Sequence, residues 1–201
     1  SAKNFGTAII NSLQTTFGSL FVSLVVGICA AYIIARRRFR FGLKKPMTYW
    51  VLLVRVLPPV AFTIPLYIMF NKLGILNTKL PVLLACVLIN VPLIIWFLIS
   101  FFQDLPEEVE ESAKVDGATE WQLFCRIVLP LVAPGIAAVA MLSFMYAWNE
   151  YTYTVIFTRT AVNNTVPLAL ALLNTEAVRP RLPLTAILPL IIPPQNPPSC
   201  P

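Results

Sequence analysis

LPVLLACVLINVPLIIWFLISFF, residues 80–102, carries no charged side chain, and its polar groups are confined to Asn90 and Ser100 apart from one thiol. A helix rising 1.5 Å per residue needs about 20 mostly apolar residues to cross the hydrocarbon of a bilayer. The stretch meets that requirement with residues to spare. Working outward, three more apolar segments of comparable length lie at about 8–35, 47–70 and 132–157. The chain is 58% hydrophobic and only 12% charged, too little polar surface for a soluble domain of 201 residues. The expected fold class is all-α, a polytopic transmembrane helical bundle, since only helices and closed barrels satisfy their backbone in lipid.

The net charge of +6 is concentrated, with Arg36, Arg37, Arg38, Arg40, Lys44 and Lys45 forming one short basic stretch between the first two spans. Such a loop marks the cytoplasmic side of a membrane protein. Nucleic-acid binding is not expected from it. Alternation of sides then puts 102–131 in the cytoplasm and 71–79 and 158–181 outside. Cys29, Cys86, Cys125 and Cys200 have no metal-ligand spacing and read as small core residues.

Each span contains residues that an inert lipid anchor would lack. Gly18, Gly27, Ser12, Ser19 and Ser23 in the first allow close helix packing. The second holds Arg55, Pro58, Pro59 and Pro65, fitting either a bent helix with a snorkelling arginine or a broken helix along a path. In the third, Asn90 and Pro92 lie at mid-depth, where the amide either bonds across helices or lines a pore. The fourth ends in an aromatic belt at Tyr146, Trp148, Tyr151 and Tyr153, and includes Glu150, a carboxylate that needs a protein or aqueous neighbour. Residues 177–201 hold eight of the eighteen prolines. No continuous helix is expected there.

Residues 103–135 are polar and carry seven of the nine acidic residues. Glu107, Glu108, Glu110 and Glu111 follow Pro106 as at a helix start, and Gly117 is a left-handed terminator. Thr119 and Gln122 then match a capping box, with Pro130 expected to end the second helix. Trp121, Phe124, Ile127 and Val128 give that helix one apolar face. The face either packs on the protein's own helix ends or is offered to a soluble partner.

Glu111-Ser112-Ala113-Lys114-Val115-Asp116-Gly117-Ala118, followed by Ile127-Val128-Leu129-Pro130 and Pro134-Gly135, resembles the EAA loop of the inner-membrane permeases of binding-protein-dependent ABC importers. The second position of the triplet is usually alanine and here is Ser112. The Arg36 to Phe41 loop, Pro65-Leu66-Tyr67, Leu76-Asn77-Thr78 and Ala147-Trp148-Asn149-Glu150 are similar to the carbohydrate branch, as in the second permease of maltose-type systems. The resemblance implies residence in the plasma (inner) membrane and a cytoplasmic ATPase subunit as partner. It also implies a second permease subunit and an extracytoplasmic sugar-binding protein. Glu111, Ala113, Asp116, Gly117, Phe124, Ile127 and Pro130 are implied to form the coupling loop that meets the ATPase. ATP and Mg would be used by that partner, with no cofactor bound by this chain. The resemblance also implies a permease domain over 1–180 and marks 181–201 as a proline-rich tail atypical of the family. The family's preceding N-terminal span and final span are not visible.

An enzyme is not expected: there is no histidine, no Gly-x-Ser-x-Gly elbow and no Gly-x4-Gly-Lys-Ser/Thr phosphate loop. A permease for another small solute, or a secondary transporter using Glu150 or Arg55, is the alternative to sugar import. The substrate path is expected at Asn90, Asn149, Glu150 and Tyr151, since hydroxyl-rich ligands are met by polar and aromatic groups.

Overall fold

The computed structural model describes residues 2–36, 53 and 58–178. The basic stretch after Arg36, Arg55 with most of the first half of the second span, and the tail 181–201 lie outside the described residues.

The first helix, α1 (Ala2–Arg36), inverts the pattern of a soluble helix. Its buried side is Ala8, Asn11, Ser12, Thr15, Thr16, Ser19, Ser23, Gly27 and Ala31, while Phe17, Phe21, Val25 and Val26 are exposed. Small and hydroxylated residues inward with large apolar ones outward is the arrangement lipid demands. Hydroxyls are satisfied locally where they can be, as when Thr15 Oγ1 donates to Asn11 O at 2.8 Å.

α2 (Pro59–Lys72) starts at the Pro58-Pro59 pair, with Pro58 extended at φ −62°, ψ 138° and Pro59 in the first turn, where a missing N–H costs nothing. α3 (Leu80–Gln103) runs in the same direction as α1, with Gly18 against Leu83, Gly27 against Ile94 and Tyr32 against Phe102. Pro65 and Pro92 lie inside helices that continue past them. α4 (Glu107–Val115) and α5 (Glu120–Leu123) form the polar insertion. α6 (Leu129–Trp148) returns antiparallel to α1 and α3, placing Gly135 on Phe101 and Phe144 on Phe17. α7 (Thr152–Phe157) and α8 (Val166–Val178) follow, with a 3-10 turn at Ala161–Asn163 between them. Among the described residues, three helical stretches, Phe5–Arg36, Leu80–Gln103 and Glu120–Trp148, are long and apolar enough to cross a membrane.

The expected fourth span, 132–157, is two helices broken at 149–151. Asn149 Nδ2 folds back onto Met145 O at 2.8 Å, and Glu150 Oε1 accepts the N–H of Tyr153 at 2.7 Å, so polar side chains end one helix and begin the next. The other correction is at Pro130, which does not end the second loop helix. Residues Phe124–Val128 form a π turn, with Leu129 N–H bonded to Phe124 O. Pro130 then sits in the first turn of α6, and the helix passes from the loop into the membrane without stopping.

Two apolar clusters hold the bundle. The larger joins α1, α3 and α6 to the loop, through Ala31, Ile34, Ile94, Leu98, Phe102, Ala113, Leu123, Phe124, Val128 and Val132. The smaller packs Phe70 of α2 and Val82, Ala85 and Cys86 of α3 on Tyr153 and Phe157 of α7. Phe70 and Phe157 meet edge-on at 5.3 Å. Of the cysteines expected in the core, Cys86 is buried and Cys125 half-buried, but Cys29 is exposed.

The end of the bundle away from the loop is stapled by Asn77, a non-glycine residue at φ +62°. Its Oδ1 accepts from Arg159 N, Thr160 N and Thr160 Oγ1 at 2.9, 3.0 and 2.9 Å. The short polar side chain is what makes the left-handed conformation tolerable.

Candidate functional site: the helix-turn-helix between α3 and α6

The turn between α4 and α5 is built as the sequence requires. Gly117 adopts φ +82°, Ala118 N–H bonds Ala113 O at 3.0 Å and Gly117 N–H bonds Lys114 O at 3.1 Å, the paired bonds of a Schellman stop. Asp116 occupies the C-cap position, exposed. Two residues later the capping box is complete: Gln122 N–H donates to Thr119 Oγ1 at 3.3 Å, and Thr119 N–H donates to Gln122 Oε1 at 3.0 Å.

The residues expected to form the coupling loop divide into a buried set and an exposed set. Ala113 is the buried residue of α4, 7% exposed, and joins the main core. Phe124 is buried with its ring 4.8 Å from that of Tyr32, and Ile127 is half-buried against the same core. Glu111, Asp116, Gly117 and Pro130 are exposed. The expected apolar face needs correction: Trp121 is 71% exposed, and Leu123, fully buried, takes its place with Phe124 and Val128. The π turn advances the backbone by an extra residue, so a 3.6-residue period drawn across it misplaces the inward face.

Sequence reasoning assigned Arg36 to a basic loop and gave Glu110 only a helix-start role. The structure brings them together. Arg36 Nη2 donates to Leu105 O at 2.8 Å, and Arg36 Nε lies 2.8 Å from Glu110 Oε1, an ion pair by distance without the alignment of a hydrogen bond. Both side chains are largely covered, at 10% and 14% exposure. No periodicity links positions 36 and 110. A charged residue closing a spanning helix opposite an acidic helix start is the nearest signal. Lys114 pairs instead with Glu120 at 3.0 Å on the surface. Between them lies a cleft of about 650 Å³ lined by Cys29, Tyr32, Arg36, Glu110, Trp121 and Phe124, among others.

The expected path residues are distributed differently. Asn90 is 1% exposed and its Oδ1 has no partner among the described residues. Asn149 and Tyr151 are exposed and Glu150 is half-buried at the helix break. Cys86, one turn from Asn90 on α3, packs in the cluster that contains Tyr153, which brings the two regions into neighbouring layers.

The site is thus an acidic helix, a glycine stop and a capped second helix that runs straight into a spanning helix. The family described as the binding-protein-dependent transport system inner membrane component matches residues 23–194. This chain belongs to that family. It is 33% identical over 167 residues to the trehalose transport system permease protein SugB of Mycobacterium tuberculosis, covering 83% of this chain and 60% of that one. It is 36% identical over 149 residues to the diacetylchitobiose uptake system permease protein NgcG of Streptomyces coelicolor, covering 74% and 48%. To the inner membrane ABC transporter permease protein YcjP of Escherichia coli it is 32% identical over 166 residues, covering 82% and 59%. The chain thus spans about half to three fifths of the length of these relatives. The fold is shared with a crystal structure of a bacterial ABC transporter involved in the import of the acidic polysaccharide alginate, at a TM-score of 0.70 and 23% identity, covering 94% of this chain and 65% of that one.

Proposed function

We propose that this inner-membrane component is the permease subunit of an ATP-driven importer that translocates a sugar, and that the α4–α5 turn is the element it seats in a cytoplasmic ATPase. The observation that carries the reading is the division within the loop. Ala113, Leu123 and Phe124 lock it to the spanning helices, while Val115 at 87% and Trp121 at 71% exposure stand out beside the acidic Glu111 and Asp116. A rigid, partly apolar and partly acidic helical tip is suited to a protein groove.

On this reading the ATPase binds ATP and Mg, an extracytoplasmic binding protein delivers the sugar, and a second permease completes the path. ATP and loaded binding protein must each favour the outward-facing arrangement, or neither could shift the equilibrium. Sugar as the substrate class is supported by the names of the trehalose and diacetylchitobiose relatives. The path through the bundle is assigned to Asn90, Asn149, Glu150 and Tyr151.

The test is co-purification of the chain from detergent-solubilised membranes with a co-expressed ATPase subunit of a binding-protein-dependent importer. Glu111→Lys reverses a charge on the exposed tip, and Gly117→Pro forbids the positive φ and removes the N–H bonded to Lys114 O. Both variants are expected to insert normally and to lose the ATPase. Undiminished retention in both would refute the docking role.

A further inference from the structure

We infer that Arg36 is a positioning residue that ties α4 to α1, so that displacement of the coupling helices is carried along α1 to the 158–166 segment at the far end of the bundle. The inference rests on the importer reading above and adds to it a route through the molecule.

The loop is joined to the bundle covalently at both ends, to α3 through 104–106 and to α6, and by the packing of Ala113, Leu123 and Phe124 on the main core. The α6 connection runs through the π turn Phe124–Val128 and then meets Pro130 and Pro134, each lacking a backbone donor. It is compliant, because every missing or stretched backbone bond lowers the resistance to bending. A polar, non-covalent connection passes through Arg36, the last residue of α1. Its guanidinium holds the Leu105 carbonyl, just ahead of α4, and the Glu110 carboxylate within the first turn of α4. One aligned hydrogen bond to the Leu105 carbonyl and an ion pair to Glu110, made from the same planar group, hold the end of α1 against two points of the loop. Among the described residues, the other charged groups around this contact are Glu107, Glu111 and Lys114, all on α4, and Glu120, the partner of Lys114.

α1 is built to transmit such a displacement. It runs unbroken from Ala2 to Arg36 and contains no proline. Near its start it is fastened to the far end: Asn11 Nδ2 donates to Val162 O at 2.7 Å and to Asn164 O at 3.0 Å, and Ser12 Oγ accepts from Val166 N at 2.8 Å. The two fastenings are separated by about 37 Å of helix, from 1.5 Å per residue. A rod tied at both ends gives the loop a mechanical link to the opposite face that the kinked entry of α6 lacks.

The experiment places a single cysteine at Val162, 68% exposed, in a chain whose native cysteines are replaced, assembled with its ATPase and second permease in membrane vesicles. The rate of labelling by a polar maleimide is compared with and without ATP and vanadate, and ATPase retention is measured on the same samples. The parent chain is expected to change its labelling rate by about 5-fold or more on trapping, the lower range of coupling between distant sites. Arg36→Gln is expected to keep the ATPase but lose the change, and the exchange Arg36→Glu with Glu110→Arg is expected to restore part of it. An unchanged response in Arg36→Gln overturns the inference. So does loss of the ATPase in that variant, which would make Arg36 a builder of the docking surface only. A parent that keeps the ATPase yet shows no response at 162 overturns the lever while leaving the docking role intact. A parent that retains no ATPase overturns both.

Discussion

Replacing Gly27 by alanine places one methyl group where α1 and α3 touch, and the structure sets what it costs. A Cβ there would lie 2.5 Å from Ile94 Cγ2 and 2.9 Å from Ile94 Cβ. Carbon atoms at rest sit about 3.5–4.0 Å apart, so roughly 1 Å must be found. Rotating Ile94 could move Cγ2 but not Cβ, which is fixed to the α3 backbone, and Ile94 is completely buried. The two helices must therefore separate. Overpacking of this kind costs about 1–3 kcal/mol, of which alanine's better helix propensity returns about 0.5–1 kcal/mol. Gly6→Ala, on the same helix, meets nothing within 4 Å and should show only the gain. Gly18→Ala meets the mobile tip of Leu83 at 2.8 Å and should fall between. Denaturant titration in detergent micelles, followed by circular dichroism, should rank stability as Gly6→Ala above Gly18→Ala above Gly27→Ala. Equal stability of the Gly6 and Gly27 variants would show that α1 and α3 do not approach as closely as described.

Asn77→Ala removes three accepted hydrogen bonds and leaves alanine at φ +62°, so the loop end should loosen by about 1–3 kcal/mol. Faster amide exchange at Arg159 and Thr160 checks this, and unchanged exchange would mean that other contacts hold the loop. Asn90→Ala removes a buried oxygen that has no partner among the described residues, so stability should stay within about 1 kcal/mol while uptake falls. If Asn90→Ala and Glu150→Ala both transport at the parent rate in reconstituted vesicles, neither residue lines the path.

The helix-turn-helix was legible down to its bonds, because each device is local: Gly117 stops α4, and Thr119 with Gln122 starts α5 within four residues. The break at 149–151 was not. Its surroundings are apolar and aromatic, and the deciding bonds run from side chains to nearby backbone, Asn149 Nδ2 donating to Met145 O and Glu150 Oε1 accepting from Tyr153 N–H. Pro130 misled for a related reason, since a proline ends a helix only where its missing donor is needed, and the π turn before it rearranges the bonding.

The sequence by itself determined the all-helical membrane class, the first, third and fourth apolar stretches apart from the break in the last, and the polar loop with its caps. Hydrophobic length and capping are properties of neighbours in the chain. Tertiary structure alone decided that Ala113 rather than Trp121 faces inward, that α1 and α3 run side by side through Gly27, and that Arg36 grips Leu105 and Glu110. These depend on which surfaces meet across about 67 positions or more, and no local period encodes that distance.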